Sequence, residues 1–208
     1  MGMIAGIDIS HYNGAVDCSK LSAGGVNFAY TKASEGRFTK DPLYAANYAG
    51  LEQNQIFRGA YHFFYPQLDA QAQAANFLSV VTQLGPGDLP PTLDVEVSGE
   101  QSPAAIAAGM QQWLDAVEEE LGRTPMIYTA AGFWNAALGG TSAFSEYPLW
   151  VAHYTSNPSP NVPKGFSDYT FWQYSESGSV PGIAGNVDMD WFNGSSADLA
   201  HLAEWEAD

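Results

Sequence analysis

In the segment Pro90-Pro91-Thr92-Leu93-Asp94-Val95-Glu96, two carboxylates stand two residues apart where an apolar run ends. The strand period places both on one face. Such a pair can hydrolyse an acetal when the surroundings separate the two pKa values, one acid keeping its proton for the leaving oxygen and the other staying charged. Glu96 is the candidate proton donor because it reaches further from the strand end, with Asp94 beside it raising its pKa by like-charge repulsion and orienting its proton. The competing structural reading is a strand-end Asp that caps a loop next to a solvated Glu. Two other strand-like segments, Ile4 to Ser10 and Asn186 to Phe192, carry Asp8 and the pair Asp188 and Asp190 between apolar neighbours. A carboxylate in such company needs partners, and its recurrence at both ends of the chain points to acids converging on one site.

The aromatic residues near these segments suit a sugar, which presents apolar C–H faces and a rim of hydroxyls. Tyr30, Tyr61, Phe63, Trp150, Tyr154, Trp172, Tyr174 and Trp191 fall in or beside expected strand ends, with Gln173 among them as a hydrogen-bonding group. Because strand neighbours face opposite ways, about half of this set belongs to the core. Tyr61, Trp150 and Tyr174 are the preferred stacking candidates. His11, His62, His153 and His201 form no compact metal-ligand motif, so neither a metal nor another cofactor is expected. His62 near a strand end is a candidate for bonding a substrate or an acid. Nucleophile-elbow and phosphate-binding glycine motifs are absent.

What must hold these residues is a βα rhythm. Strands are expected at Ile4 to Ser10, Val26 to Ala33, Arg58 to Phe64, Pro91 to Glu96 and Pro125 to Thr129. Helices are expected at Pro42 to Gln53, Ala70 to Leu84, Pro103 to Leu121 and Ala131 to Leu138. The third helix is the clearest, with Ile106, Met110, Trp113, Leu114, Val117 and Leu121 at helical spacing, Ser102-Pro103 at its start and Gly122 at its end. After residue 145 the strands at Leu149 to Tyr154, Tyr169 to Ser175 and Val187 to Phe192 are separated by Ser, Pro, Gly and Asn without helical periodicity, until a closing helix at Ser196 to Trp205. A parallel barrel completed by strands that lack crossover helices explains both halves and puts Asp8, Asp94, Glu96 and Asp188 at its C-terminal face. An open doubly wound sheet is the alternative.

With 208 residues, 46% of them hydrophobic, and no polar linker, the chain reads as a single domain over residues 1–208. Seven Lys and Arg against 23 Asp and Glu give a net charge of −16, which repels nucleic acid and anionic lipid. Cys18 is the only cysteine, so no intramolecular disulfide forms. Met1 runs directly toward the first strand without a basic and then apolar leader, and no segment has the length of a membrane span. Nothing advertises an assembly surface, so a monomer is expected.

In order along the chain, Gly6-Ile7-Asp8-Ile9-Ser10, Tyr30-Thr31-Lys32-Ala33-Ser34-Glu35-Gly36, Gly59-Ala60-Tyr61-His62-Phe63, Leu93-Asp94-Val95-Glu96, Trp150-Val151-Ala152-His153-Tyr154, Phe171-Trp172-Gln173-Tyr174 and Gly185-Asn186-Val187-Asp188 resemble the glycoside hydrolase family 25 lysozymes of the Chalaropsis type. The resemblance implies an α/β modified TIM-like barrel of eight strands, (β/α)5(β)3-like, with helices reduced in the C-terminal part. It also implies cleavage of the β-1,4 bond from N-acetylmuramic acid to N-acetylglucosamine in peptidoglycan. Glu96 then corresponds to the proton donor, with Asp8, Asp94 and Asp188 as the other active-site acids. Asp94 is either nucleophile or the group that positions a substrate acetamido nucleophile, and net retention is the preferred outcome. The expected substrate contacts are Tyr30, Tyr61, His62, Trp150, Tyr154, Trp172, Gln173, Tyr174 and Asp190. The resemblance places the protein outside the cell or at the wall, by an export route the chain does not display. The rival readings are a non-catalytic glycan-binding module, an amidase or peptidase acting on wall peptides, and a glycosidase acting on a chitin-like polymer.

Overall fold

The computed structural model describes residues 3–205; Met1, Gly2 and residues 206–208 of the expected domain lie outside the described residues. Nine strands alternate with helices: β1 (Ile4–Ile9), α1 (Cys18–Ala23), β2 (Phe28–Glu35), β3 (Thr39–Lys40), α2 (Tyr44–Gln53), β4 (Phe57–Phe63), α3 (Ala70–Leu78), β5 (Thr92–Asp94), α4 (Pro103–Leu121), β6 (Met126–Ala130), α5 (Ala131–Ala137), β7 (Leu149–Ala152), β8 (Phe171–Gly178), β9 (Val187–Phe192) and α6 (Ser196–Leu202). The strand order β1-β9-β8-β7-β6-β5-β4-β2 closes through the β1–β2 pairing into an eight-stranded barrel, with β3 hung on β2 as a short hairpin. The open-sheet alternative is thereby excluded.

One expectation is corrected: the barrel is not wholly parallel, because β9 runs antiparallel to both β8 and β1. The connection spanning 179–186 is shorter than the dozen or so residues a parallel crossover needs, so the chain can only turn back. The reversal carries Asp188, at the start of β9, to the same end as Asp8, near the end of β1, and the two are register partners.

Local chemistry sets the helix limits. Ser102 accepts from the Ala105 amide, Pro103 fills the first turn and Gly122 takes the left-handed cap at φ 66°, so α4 spans the expected residues. α3 stops at Leu78, short of the expected Leu84. There the Ser79 hydroxyl donates back to the Asn76 carbonyl at 2.6 Å, and the following Val80, Val81 and Thr82 are poor helix formers. α1 and β3, of six and two residues, lie outside the expected elements because they are too short to carry a periodic signal.

The barrel interior packs Phe28, Tyr30, Met126, Tyr128, Trp150, Phe171 and Phe192, and α6 closes the N-terminal end with Leu199 and Ala203. Glycines make room for these rings. A Cβ on Gly6 would sit 2.3 Å from the Phe28 ring and one on Gly59 would sit 2.1 Å from the Tyr30 ring. Outside, α3 and α4 bury Phe77, Ile106, Met110, Trp113 and Leu114 against the outward residues of the barrel strands, Leu93 and Ile127 among them.

Candidate active site

At the C-terminal end of the barrel, strand alternation turns Asp8, Tyr61, Asp94, Tyr128, Trp150 and Gln173 inward. Together with Phe63, Glu96, Tyr154, Glu176 and Asp188 they line a cavity of about 270 Å³. The four acids singled out in the sequence therefore meet, although the strand carrying two of them ends at Asp94 and Glu96 stands on the loop just beyond.

The acids differ in setting. Asp94 and Asp8 are buried in the floor, whereas Glu96 opens to solvent at the mouth. Burial, then the neighbouring Glu96 charge, pushes the Asp94 carboxyl well above the usual carboxylate range, opposed by Lys32. Asp94 Oδ1 has no hydrogen-bond partner, so Lys32 opposes the rise without a hydrogen bond at that oxygen to help it. Glu96 is raised as well, by the protein packed around its carboxyl and by Asp188, again against the pull of Lys32. Both carboxyls therefore hold their protons to higher pH than free carboxylates would, Asp94 through burial and Glu96, and Glu96 through burial and Asp188 rather than Asp94.

Asp8 is raised well above its ordinary value by burial and by the charges of Asp190 and Asp188. Asp188, the register partner of Asp8, is raised by burial, and the Asp8 carboxyl beside it offsets part of that rise. A polar brace fixes this group: the Tyr128 and Tyr154 hydroxyls both donate to Gln173 Oε1 at 2.8 Å, and Gln173 Nε2 donates to Asp8 Oδ2 at 2.7 Å. Beneath it the Trp150 indole N–H donates to Asp190 Oδ1 at 2.8 Å. Lys32, on β2, is the cation that acts on both Asp94 and Glu96. It is buried, ion-paired with Glu35 and stands 5.2 Å from the Phe63 ring centroid.

Of the expected substrate contacts, Tyr61, Trp150, Tyr154 and Gln173 line the cavity and five do not. Tyr30 lies a layer lower, its ring 4.8 Å from Trp150 and its hydroxyl donating to the Pro90 carbonyl at 3.2 Å. His62 points outward, stacked on Trp113 and bonded to Ser34 and Gln73, and burial lowers its imidazole to about 3, so it stays neutral. Trp172 also faces outward, its indole donating to the His153 carbonyl at 2.8 Å. Tyr174 stacks on Trp191 at 4.9 Å outside the barrel, because it follows the inward Gln173 and shares the outer face with Trp172. Asp190 is fully buried under Trp150. Phe63, one of the sugar-suited aromatics, lines the cavity too, and two further lining residues, Tyr128 and Glu176, lie outside the expected set. Tyr128 was legible from the alternation of the Met126–Ala130 strand, whereas Glu176 lies beyond the β8 irregularity, where alternation cannot be phased. Among the described residues no group of three His, Cys, Asp or Glu is arranged to hold a metal ion.

The profile of the glycosyl hydrolases family 25 matches residues 7–183. The fold is similar to a bacterial lysozyme from Streptomyces coelicolor, with TM-score 0.93, 36% identity and 98% of each chain covered. In sequence the chain is 37% identical to "Lysozyme M1" of Streptomyces globisporus, over 96% of this chain and 71% of that protein. It is 30% identical to an "N,O-diacetylmuramidase" of Chalaropsis sp, over 96% and 99% respectively. This barrel with its acid-lined cavity is a glycoside hydrolase, and the chain belongs to family 25.

Proposed function

We propose that the protein is a muramidase that cleaves the β-1,4 bond between N-acetylmuramic acid and N-acetylglucosamine in peptidoglycan, with Glu96 as proton donor. The observation that carries this is the cavity itself, in which Asp8, Asp94, Glu96 and Asp188 share a floor and a rim. Relatives bearing the names lysozyme and N,O-diacetylmuramidase support the choice of bond.

Glu96 is the acid a polymer can reach, since it faces the open groove while Asp94 lies beneath. It gives its proton to the leaving sugar oxygen. Asp94 stabilises the positive charge that develops at the anomeric carbon, either as the nucleophile or by holding the substrate's acetamido oxygen in place, with net retention of configuration. Asp8 and Asp188, braced by Gln173, accept sugar hydroxyls and keep the floor polar. Tyr61, Trp150, Tyr154, Phe63 and Tyr128 provide the apolar walls. The enzyme acts as a monomer on the wall, outside the cytoplasm. Among the described residues no helix is long and apolar enough to cross a membrane.

Purified peptidoglycan digested with the protein and then reduced tests this by mass spectrometry. Reduced muramic acid at the new ends is the expected product, with the β anomer appearing first by NMR. Reduced glucosamine ends, or cut peptides with intact glycans, would overturn the assignment.

A further inference from the structure

The cations of this acidic chain are unevenly committed. Of its seven Lys and Arg residues, Lys20, Lys32, Arg58 and Arg123 are ion-paired. Among the described residues Arg37, Lys40 and Lys164 have no carboxylate at ion-pair distance. Two of those three sit on the β2–β3 hairpin with Phe38 and Thr39 between them, and Phe38 is 80% exposed with the Arg37 guanidinium carbon 5.2 Å from its ring centroid. An exposed phenyl ring between two unpaired cations, on a molecule of net charge −16, is a departure from the rest of the surface.

The hairpin is also held rigidly. The Asn76 side-chain amide on α3 donates to the carbonyls of Glu35, Gly36 and Thr39 at 3.3, 2.9 and 3.0 Å. Asp41, at its base, accepts from His11 Nδ1 at 2.7 Å and from the His11 amide at 2.9 Å. Gly36 turns the corner at φ 52°, and its amide donates to the carbonyl of Phe63 at 3.2 Å. Phe63 lines the catalytic cavity, so the hairpin is bonded directly to a residue of the cavity wall. A fixed support under an exposed tip presents that tip at low entropic cost on binding.

We propose that Arg37, Phe38 and Lys40 form a docking site for the peptide stem of the substrate, the two cations taking stem carboxylates and Phe38 packing on alanine methyl groups. The inference rests on the muramidase reading, because the stem is tethered through the lactyl ether to the same muramic acid ring whose bond is cut in the adjoining cavity. That tether favours the stem over a free anionic wall polymer, which nothing would hold beside the hairpin.

The test compares kcat/KM on glycan strands carrying stems with kcat/KM on the same strands stripped of stems by an amidase. The proteins compared are wild type, the Arg37→Gln/Lys40→Gln double variant, each of its single variants, and Lys164→Gln, the control that matches a single variant in charge. The expected result is that the ratio of stem-bearing to stem-free rates falls roughly five- to tenfold in the double variant, as for the loss of two exposed charge contacts, chiefly through KM. It should be unchanged in Lys164→Gln, and the wild-type ratio should shrink as salt is raised. An unchanged ratio in the double variant, or an equal loss on both substrates, would overturn the stem site while leaving the muramidase reading intact. Failure of the wild type to cut either substrate would overturn the muramidase reading and this inference with it.

Discussion

The two ends of the barrel handle buried carboxylates in opposite ways. At the N-terminal end Asp88 is met by Arg58 Nε at 2.9 Å, Arg58 also binds Glu52 at 2.9 Å, and Arg123 pairs with Glu204 and reaches the Asp88 carbonyl. Each buried charge there has a guanidinium. At the C-terminal end Asp8, Asp94, Glu96, Asp188 and Asp190 crowd together, and Lys32 is the cation that bears on Asp94 and Glu96. The acids are left to repel one another and to hold protons above their ordinary range. One end is built for stability, and the other keeps carboxyl groups poised to give and take protons.

This contrast breaks cleanly if the ends are exchanged by mutation. Asp94→Asn should lower turnover by roughly 10² to 10³ fold, the scale of losing a preorganised electrostatic group, while leaving the melting temperature unchanged or higher, because a buried carboxyl whose desolvation and repulsion by Glu96 outweigh the pull of Lys32 is removed. Steady-state kinetics and calorimetry on one preparation check both halves. Arg58→Leu should do the reverse. Leaving Asp88 buried without its partner costs about 3 to 5 kcal/mol in denaturant unfolding, and activity per folded molecule should be retained.

The smaller effects concern pH. For Asp8, Asp94 and Asp190 the folded-state pKa is raised. Between the ordinary carboxylate value and the raised one the folded protein therefore binds more protons than the unfolded chain, and the stability these groups allow falls as pH rises through that window. Thermal unfolding should occur at a higher temperature near about pH 5 than near about pH 8. Asp190 is raised by its burial and by Asp188, against the hydrogen bond from Trp150. Asp190→Asn should thus flatten this pH slope and stabilise the protein at the alkaline end by on the order of 1 kcal/mol, a few degrees in Tm. An unchanged slope would show that the acids at the C-terminal end are not under the electrostatic strain described above.

How much of this could be read from the chain follows from periodicity. Asp94, Glu96, Asp8 and Asp188 were identifiable because each sits between apolar residues in a strand-like segment rather than in a charge run, and the α4 stripe and caps fixed a helix to its ends. The direction of β9 was not identifiable from residue pattern, since antiparallel and parallel strands alternate alike; only the short 179–186 connection carried it. Which aromatics face the cavity was half legible. Tyr61 and His62 are neighbours on β4, one inward and one outward, and choosing between them needs the phase of the strand as well as its period. On β8 the same phase question puts Gln173 inside and Tyr174 outside, and the irregularity after Gln173 brings Glu176 to the rim. The β2–β3 hairpin was invisible as structure, yet its Arg37, Phe38 and Lys40 stand together in the chain.

The measurement that bears most directly on the central claim is turnover and polymer binding by Glu96→Gln beside the wild type, on one batch of purified peptidoglycan, with new muramic acid reducing ends counted by mass spectrometry. The account predicts a folded variant that sediments with the polymer as the wild type does and produces reducing ends about a thousandfold more slowly, within the range a general acid supplies. A folded Glu96→Gln protein that releases muramic ends at the wild-type rate would contradict it, and the proton donor would have to be sought elsewhere in the cavity.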